Sequence, residues 1–112
     1  MSELQARLPV HPVTVTLGEG PVGLIVVDAG VGFTRQGNLA DPKHMVPMVH
    51  RIAATWRALH AAIGDRLHTL CFLDTHEADI PEPPYPPHCE RGTGEENLVP
   101  ALAWLDGDAH AL

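Results

Sequence analysis

At 112 residues with 45% apolar side chains, the chain has the length and composition of one globular domain rather than of a disordered or fibrous segment. A formal net charge of −7, with Lys and Arg together only 7 against 14 Asp and Glu, leaves no basic stripe for a phosphate backbone, which argues against a nucleic-acid partner. No run approaches the roughly 20 apolar residues of a membrane span, the amino terminus lacks the basic-then-apolar order of a secretory signal, and two cysteines outside any C-x-x-C pair are too few for a disulfide scaffold; the reading is a cytoplasmic protein with reduced thiols and no membrane partner.

Along the chain, Val13-Thr14-Val15-Thr16-Leu17 alternates branched and polar residues, which predicts an outer strand or arm through residue 17 before Gly18-Glu19-Gly20-Pro21 breaks it. Val22 to Val27 is an apolar run without alternation, ending at Asp28-Ala29-Gly30. Such a run predicts a strand buried on both faces of a parallel sheet. After a Gly- and Asn-rich loop, Asp41-Pro42 supplies an N-cap and a proline just inside a helix, and Met45, Val49, Ile52, Trp56, Leu59 and Ile63 follow at spacings of three and four. Gly64-Asp65 stops that amphipathic helix, and Leu70-Cys71-Phe72-Leu73 reads as a second strand closed by Asp74. Strand, helix, strand in this order predicts a right-handed βαβ unit. Residues 77–97 are dense in proline and glycine, and because they hold His88 and Cys89 and leave directly from a strand end, they read as a stiff functional loop rather than a linker. Leu98 to Leu105 predicts a helical turn or two with Trp104 as the apolar anchor, before Asp106-Gly107 turns the chain. Two strands and one helix make a thin core with an open sheet edge beside the first strand, so either a partner chain completes the sheet or the sequence is part of something longer.

Both strands end in a carboxylate, Asp28 and Asp74, and in open α/β sheets ligands bind outside the carboxyl ends of the strands. Aspartate also closes strands routinely, so Asp28 by itself divides evenly between the two roles. Asp74 is accompanied by His76, which in extended backbone points to the same side, and by His88 across the loop. One carboxylate and two imidazoles suit Zn²⁺, Fe²⁺ or Mn²⁺, and prolines at 83, 84, 86 and 87 would pre-set the return of His88. The alternative at this stage is that His76 and His88 are two of eight histidines, others of which, such as His44, His60 and His110, read as surface residues.

Gly23-Leu24-Ile25-Val26-Val27-Asp28, with Phe33 and then Gly37-Asn38-Leu39-Ala40, resembles the first strand and following loop of the nicotinamidase and isochorismatase group of cysteine hydrolases. Asp74-Thr75-His76, Asp79, Pro86-Pro87-His88-Cys89 and Gly92-Thr93-Gly94-Glu95-Glu96 resemble the nicotinamidase metal loop, the more specific of the two blocks. The resemblance implies an α/β fold, a three-layer, Rossmann-like parallel sheet with helices on both faces, of which residues 1–112 supply the first βαβ unit and the metal loop of a single isochorismatase-like domain. It implies Asp28 as the catalytic acid, Phe33 in the substrate pocket, and Asp74, His76 and His88 as ligands of a divalent metal, Zn²⁺ ahead of Fe²⁺ or Mn²⁺.

The implied reaction is hydrolysis of a small carboxamide, nicotinamide to nicotinate and ammonia, through a cysteine thioester, a step of NAD salvage. The family's lysine and nucleophilic cysteine have no counterpart in these 112 residues. Lys43 lies in the first helical turn, Cys71 sits mid-strand as a small core residue, and Cys89 matches the residue that follows the metal-binding histidine. The expectation is a chain inactive by itself and competent when a missing carboxy-terminal half or second chain is supplied, with oligomerisation open. The alternative is an inactive metal-binding or assembly module of the same fold, and the least favoured is a hydrolase using metal-bound water with Asp28 or Glu77 as base. Gly30, where the family often has glutamine, and Thr75, where it usually has an aromatic residue, depart from the pattern around the pocket.

Overall fold

The computed structural model describes residues 14–107 and 109–111. Strand β1 (Val22–Val27) pairs in parallel with β2 (Leu67–Phe72) in the register Val22 to Leu67 through Val27 to Phe72. Helix α2 (Pro42–Ile63) connects them, after the one-turn helix α1 (Val31–Thr34) that the Gly-rich loop concealed. The strand, helix, strand order of the sequence reading is therefore present.

Helix α2 starts where its chemistry places it. The Asp41 carboxylate accepts from the His44 amide and meets the His44 ring at 2.8 Å, which holds the Asp41 carboxyl below the usual carboxylate range, and Pro42 occupies the first turn, where a missing N–H costs nothing. Gly64 ends the helix at φ 54°, in the left-handed region, its amide donating to the His60 carbonyl. The inward stripe buries Val49 and Ala53, with Ile52 and Trp56 packed beside them against Leu24, Val26 and Cys71 of the sheet. Trp56 Nε1 donates to Thr69 Oγ1 at 2.9 Å, so the helix is fixed to β2 by a polar tie as well as by apolar contact.

Four expectations change. Residues 14–17 form no strand, and Val13 with the rest of the anticipated arm lies outside the described residues. The carbonyls that follow are taken by a side chain instead of a ladder, since the Arg66 guanidinium donates to Gly18 and Gly20. Secondly, β1 is not buried on both faces: Leu24 and Val26 face α2, while Ile25 is 61% and Val27 56% exposed, because among the described residues no element covers that side. Thirdly, the segment after the loop is a 3₁₀ helix (Pro100–Gly107) anchored by Leu102 and Leu105, both fully buried, rather than by Trp104, which stays 39% exposed with its ring edge-on to Trp56 and under the Arg57 guanidinium. Fourthly, the chain continues past its turn into β3 (Ala109–Ala111), parallel to β2 with Thr69 opposite Ala109, giving the sheet order β1-β2-β3. The fold is thus α/β with a parallel sheet and β1 at its edge. No helix among the described residues is long and apolar enough to cross a membrane.

The anchoring role of Leu102 is measurable. Leu102→Ala should cost about 2–5 kcal/mol in urea unfolding, and Trp104→Ala distinctly less; the reverse order would show that the apolar anchor had been misplaced.

Candidate metal centre

The β1–β2 pair delivers two carboxylates to one edge. Beyond Val27 the ladder takes one more bond, from the Asp28 amide to the Phe72 carbonyl at 3.1 Å, and Asp28 then turns at φ 61°. A left-handed conformation costs a non-glycine residue about 1–2 kcal/mol, least for Asp and Asn, so the strand ends abruptly and presents an exposed carboxylate. Two residues past β2, Asp74 lies at the same edge.

The loop that follows returns because its ends pair as a short parallel bridge. The His76 amide donates to the Cys89 carbonyl at 3.0 Å and the Arg91 amide to the His76 carbonyl at 2.8 Å. His88 is thereby set against His76, ring centroids 4.5 Å apart. One ligand atom from each of Asp74, His76 and His88 lies within 4.8 Å of the others. Asp74 Oδ2 is 2.8 Å from His76 Nε2 and 3.3 Å from His88 Nε2. The outer nitrogens face acceptors: His76 Nδ1 is 3.0 Å from Glu82 Oε2, and His88 Nδ1 is 2.8 Å from the Pro86 carbonyl. With each Nδ1 assigned as donor, both inward Nε2 lone pairs and a carboxylate oxygen converge. Three acceptors facing one another are what a divalent cation satisfies, and outer partners of this kind fix the tautomer of metal-binding histidines.

The other anticipated residues divide. Phe33, on α1, places its ring 5.8 Å from that of His88, so it forms a wall beside the centre. Asp28 lies close enough for its charge to act on Cys89. Glu77 is engaged elsewhere, accepting from Arg91 Nε at 2.6 Å, which removes support for it as a base. Cys71 is buried in the core cluster on β2. Cys89 is buried, and desolvation together with Asp74, Glu95, Asp28 and Glu96 pushes its thiol up to about 11, the opposite of what a nucleophile needs. Glu82 and Asn38 were not singled out in the sequence. Glu82 lies among the loop prolines, and Asn38, within the Gly37 to Ala40 run, donates to the Pro87 carbonyl at 2.7 Å, just before His88. Spacing alone could not distinguish them from solvated loop residues.

An α/β edge bearing a carboxylate at one strand end and an Asp-His-His set at the next is a candidate divalent-metal centre. The comparison with known proteins is specific: the chain is 39% identical over 92 residues, 80% of its length, to Nicotinamidase 1 of Arabidopsis thaliana, and is accordingly nicotinamidase-like. It spans 38% of that relative's length. No protein-family profile matches the chain, and no solved structure does.

Two outcomes follow from this geometry. Glu82→Ala should weaken divalent-metal affinity about 10–100-fold in calorimetric titration, with the fold intact by circular dichroism. Because the raised Cys89 thiol keeps its proton, its thiolate fraction grows only as pH climbs toward about 11. Alkylation by iodoacetamide, followed by peptide mass spectrometry, should therefore be negligible at neutral pH in the folded protein and rapid once it is unfolded.

Proposed function

We propose that this chain carries the metal centre and the catalytic acid of an amidohydrolase that converts nicotinamide, or a close carboxamide, to the carboxylate and ammonia. The observation that carries the reading is the convergence of Asp74, His76 and His88 within 4.8 Å at the sheet edge that also holds Asp28, in a chain 39% identical to a nicotinamidase. Zn²⁺ suits two imidazoles and one carboxylate with a position left for an exchangeable ligand, ahead of Fe²⁺ or Mn²⁺. When bound, the cation would supply a Lewis-acid contact that holds the substrate's ring nitrogen.

The residues of this chain then have defined work. Asp28 takes the proton of a cysteine thiol supplied from outside these residues, and the thiolate adds to the amide carbon. Asp28 returns that proton to the departing nitrogen, leaving a thioester and ammonia. A water molecule then gives a proton to Asp28, attacks the thioester, and the acid and the thiol are restored. Phe33 closes one side of the substrate space beside His88. The cysteine and a lysine would come from a carboxy-terminal portion or a second chain. The uncovered face carrying Ile25, Val27 and Phe72 supports such a completion, as a second helical layer over the sheet. The setting we assign is cytoplasmic NAD salvage, in keeping with the acidic, cysteine-poor composition. That same face also supports the alternative of a catalytically inactive assembly module.

Ammonia release separates the two. The 112-residue chain by itself should release none from nicotinamide. Mixed with a polypeptide carrying the downstream strand, lysine and cysteine, it should gain activity that Asp28→Ala abolishes and a chelator removes. Complex formation without any turnover would favour the assembly module, and turnover by the isolated chain would refute the split assignment.

A further inference from the structure

We infer that Glu95 is a positioning residue of the metal centre, aiming His88 by fixing the backbone of Cys89; this rests on the metal reading above. Cys89 is 1% exposed and adopts φ 48°, a conformation that must be held from outside the residue. Glu95 Oε1 reaches back to accept from the Cys89 amide at 3.3 Å. The Glu95 backbone is anchored independently, its carbonyl accepting from the Gly32 amide at 3.0 Å. One residue therefore ties α1, which carries Phe33, to the peptide that follows His88.

The niche for this carboxylate is built from two glycines. A Cβ on Gly32 would lie 2.6 Å from Cys89 Sγ and 3.2 Å from Glu95 Oε1. Gly37, at φ 111°, abuts the same carboxylate so closely that a Cβ there would overlap it. On the other side of His88, Asn38 holds the Pro87 carbonyl, so side-chain hydrogen bonds secure the residues on both sides of the ligand. The Cys89 carbonyl also accepts from the His76 amide. A rotation of the 88–89 backbone would thus disturb two ligands together. Glu96, next in sequence, has no such reach: its carboxylate caps the amides of Gly92 and Gly94.

The test uses Co²⁺ as a visible probe, titrated into the purified protein, its Glu95→Ala variant and its Glu95→Gln variant, together with hydrogen exchange at the Cys89 amide in the metal-free proteins. Glu95→Ala should bind Co²⁺ about tenfold or more weakly, with an altered ligand-field band and faster exchange at Cys89. Glu95→Gln, which keeps the accepting oxygen, should restore all three toward wild type. Where the alanine variant does not fold, Glu95→Asp, which withdraws the oxygen, should show the same losses. Unchanged Co²⁺ affinity and band in the alanine or aspartate variant, whatever the melting temperature, would overturn the positioning role and leave the metal reading standing. Failure of the unsubstituted protein to bind Co²⁺ would overturn both.

Discussion

The two hydrogen bonds around His76, from its amide to Cys89 and from Arg91 to its carbonyl, turn a proline-rich excursion into a site. Closing a loop costs entropy that grows slowly with its length, and what decides whether His88 reaches Asp74 is whether the closed form has partners. The bridge supplies them in the backbone, independently of any ligand, and Asn38 and Glu95 add side-chain partners on each side of His88. Prolines 81, 83, 84, 86 and 87 reduce the alternatives that the open loop could explore. The donor set can therefore stand together before a cation arrives, so that little binding energy is lost in ordering it.

Among the described residues, the sheet that carries this site is covered on one side only. β2 has a parallel neighbour on each edge, whereas β1 is a border strand whose outward residues, Ile25 and Val27, lie open. Burying each of these side chains fully is worth about 1.5–3 kcal/mol. A parallel sheet ordinarily gains that from a second helical layer. The functional edge and the uncovered face belong to the same strand, so whatever covers Ile25 and Val27 would also approach Asp28.

Periodicity revealed α2 almost completely, because a long amphipathic helix with an Asp-Pro start and a glycine stop carries its signals in neighbouring residues. It could not reveal that β1 is one-sided. An unbroken apolar run records what a strand is suited to, and exposure depends on elements elsewhere. For the candidate ligands Asp74, His76 and His88, Asp74-x-His76 and the prolines leading into His88 left a metal site and surface histidines equally open, the family resemblance favoured the metal site, and the structure brings the three together. Trp104 was named as the apolar anchor of the segment after the loop, but in a short 3₁₀ helix the threefold repeat puts Leu102 and Leu105 on the inner face. Glu82, Asn38 and Glu95 act through contacts six to 49 residues distant, and no local pattern encodes those.

Strain is concentrated at the same place as the chemistry. Among the described residues the two non-glycine positions with positive φ are Asp28 and Cys89, one the proposed acid and the other directly following a proposed ligand. Each conformation costs about 1–2 kcal/mol, and each is opposed by a hydrogen bond that its own amide donates, to the Phe72 carbonyl for Asp28 and to the Glu95 carboxylate for Cys89. A net hydrogen bond contributes about 1 kcal/mol, comparable with the cost it faces, so neither residue is held by that bond alone. The remainder has to come from packing: the sheet register beneath Asp28, and the burial of Cys89 against Gly32. The turns at Asp28 and Cys89 are thus stable only where β1, α1 and residues 88–95 are assembled together, which makes the site a property of that junction rather than of the loop.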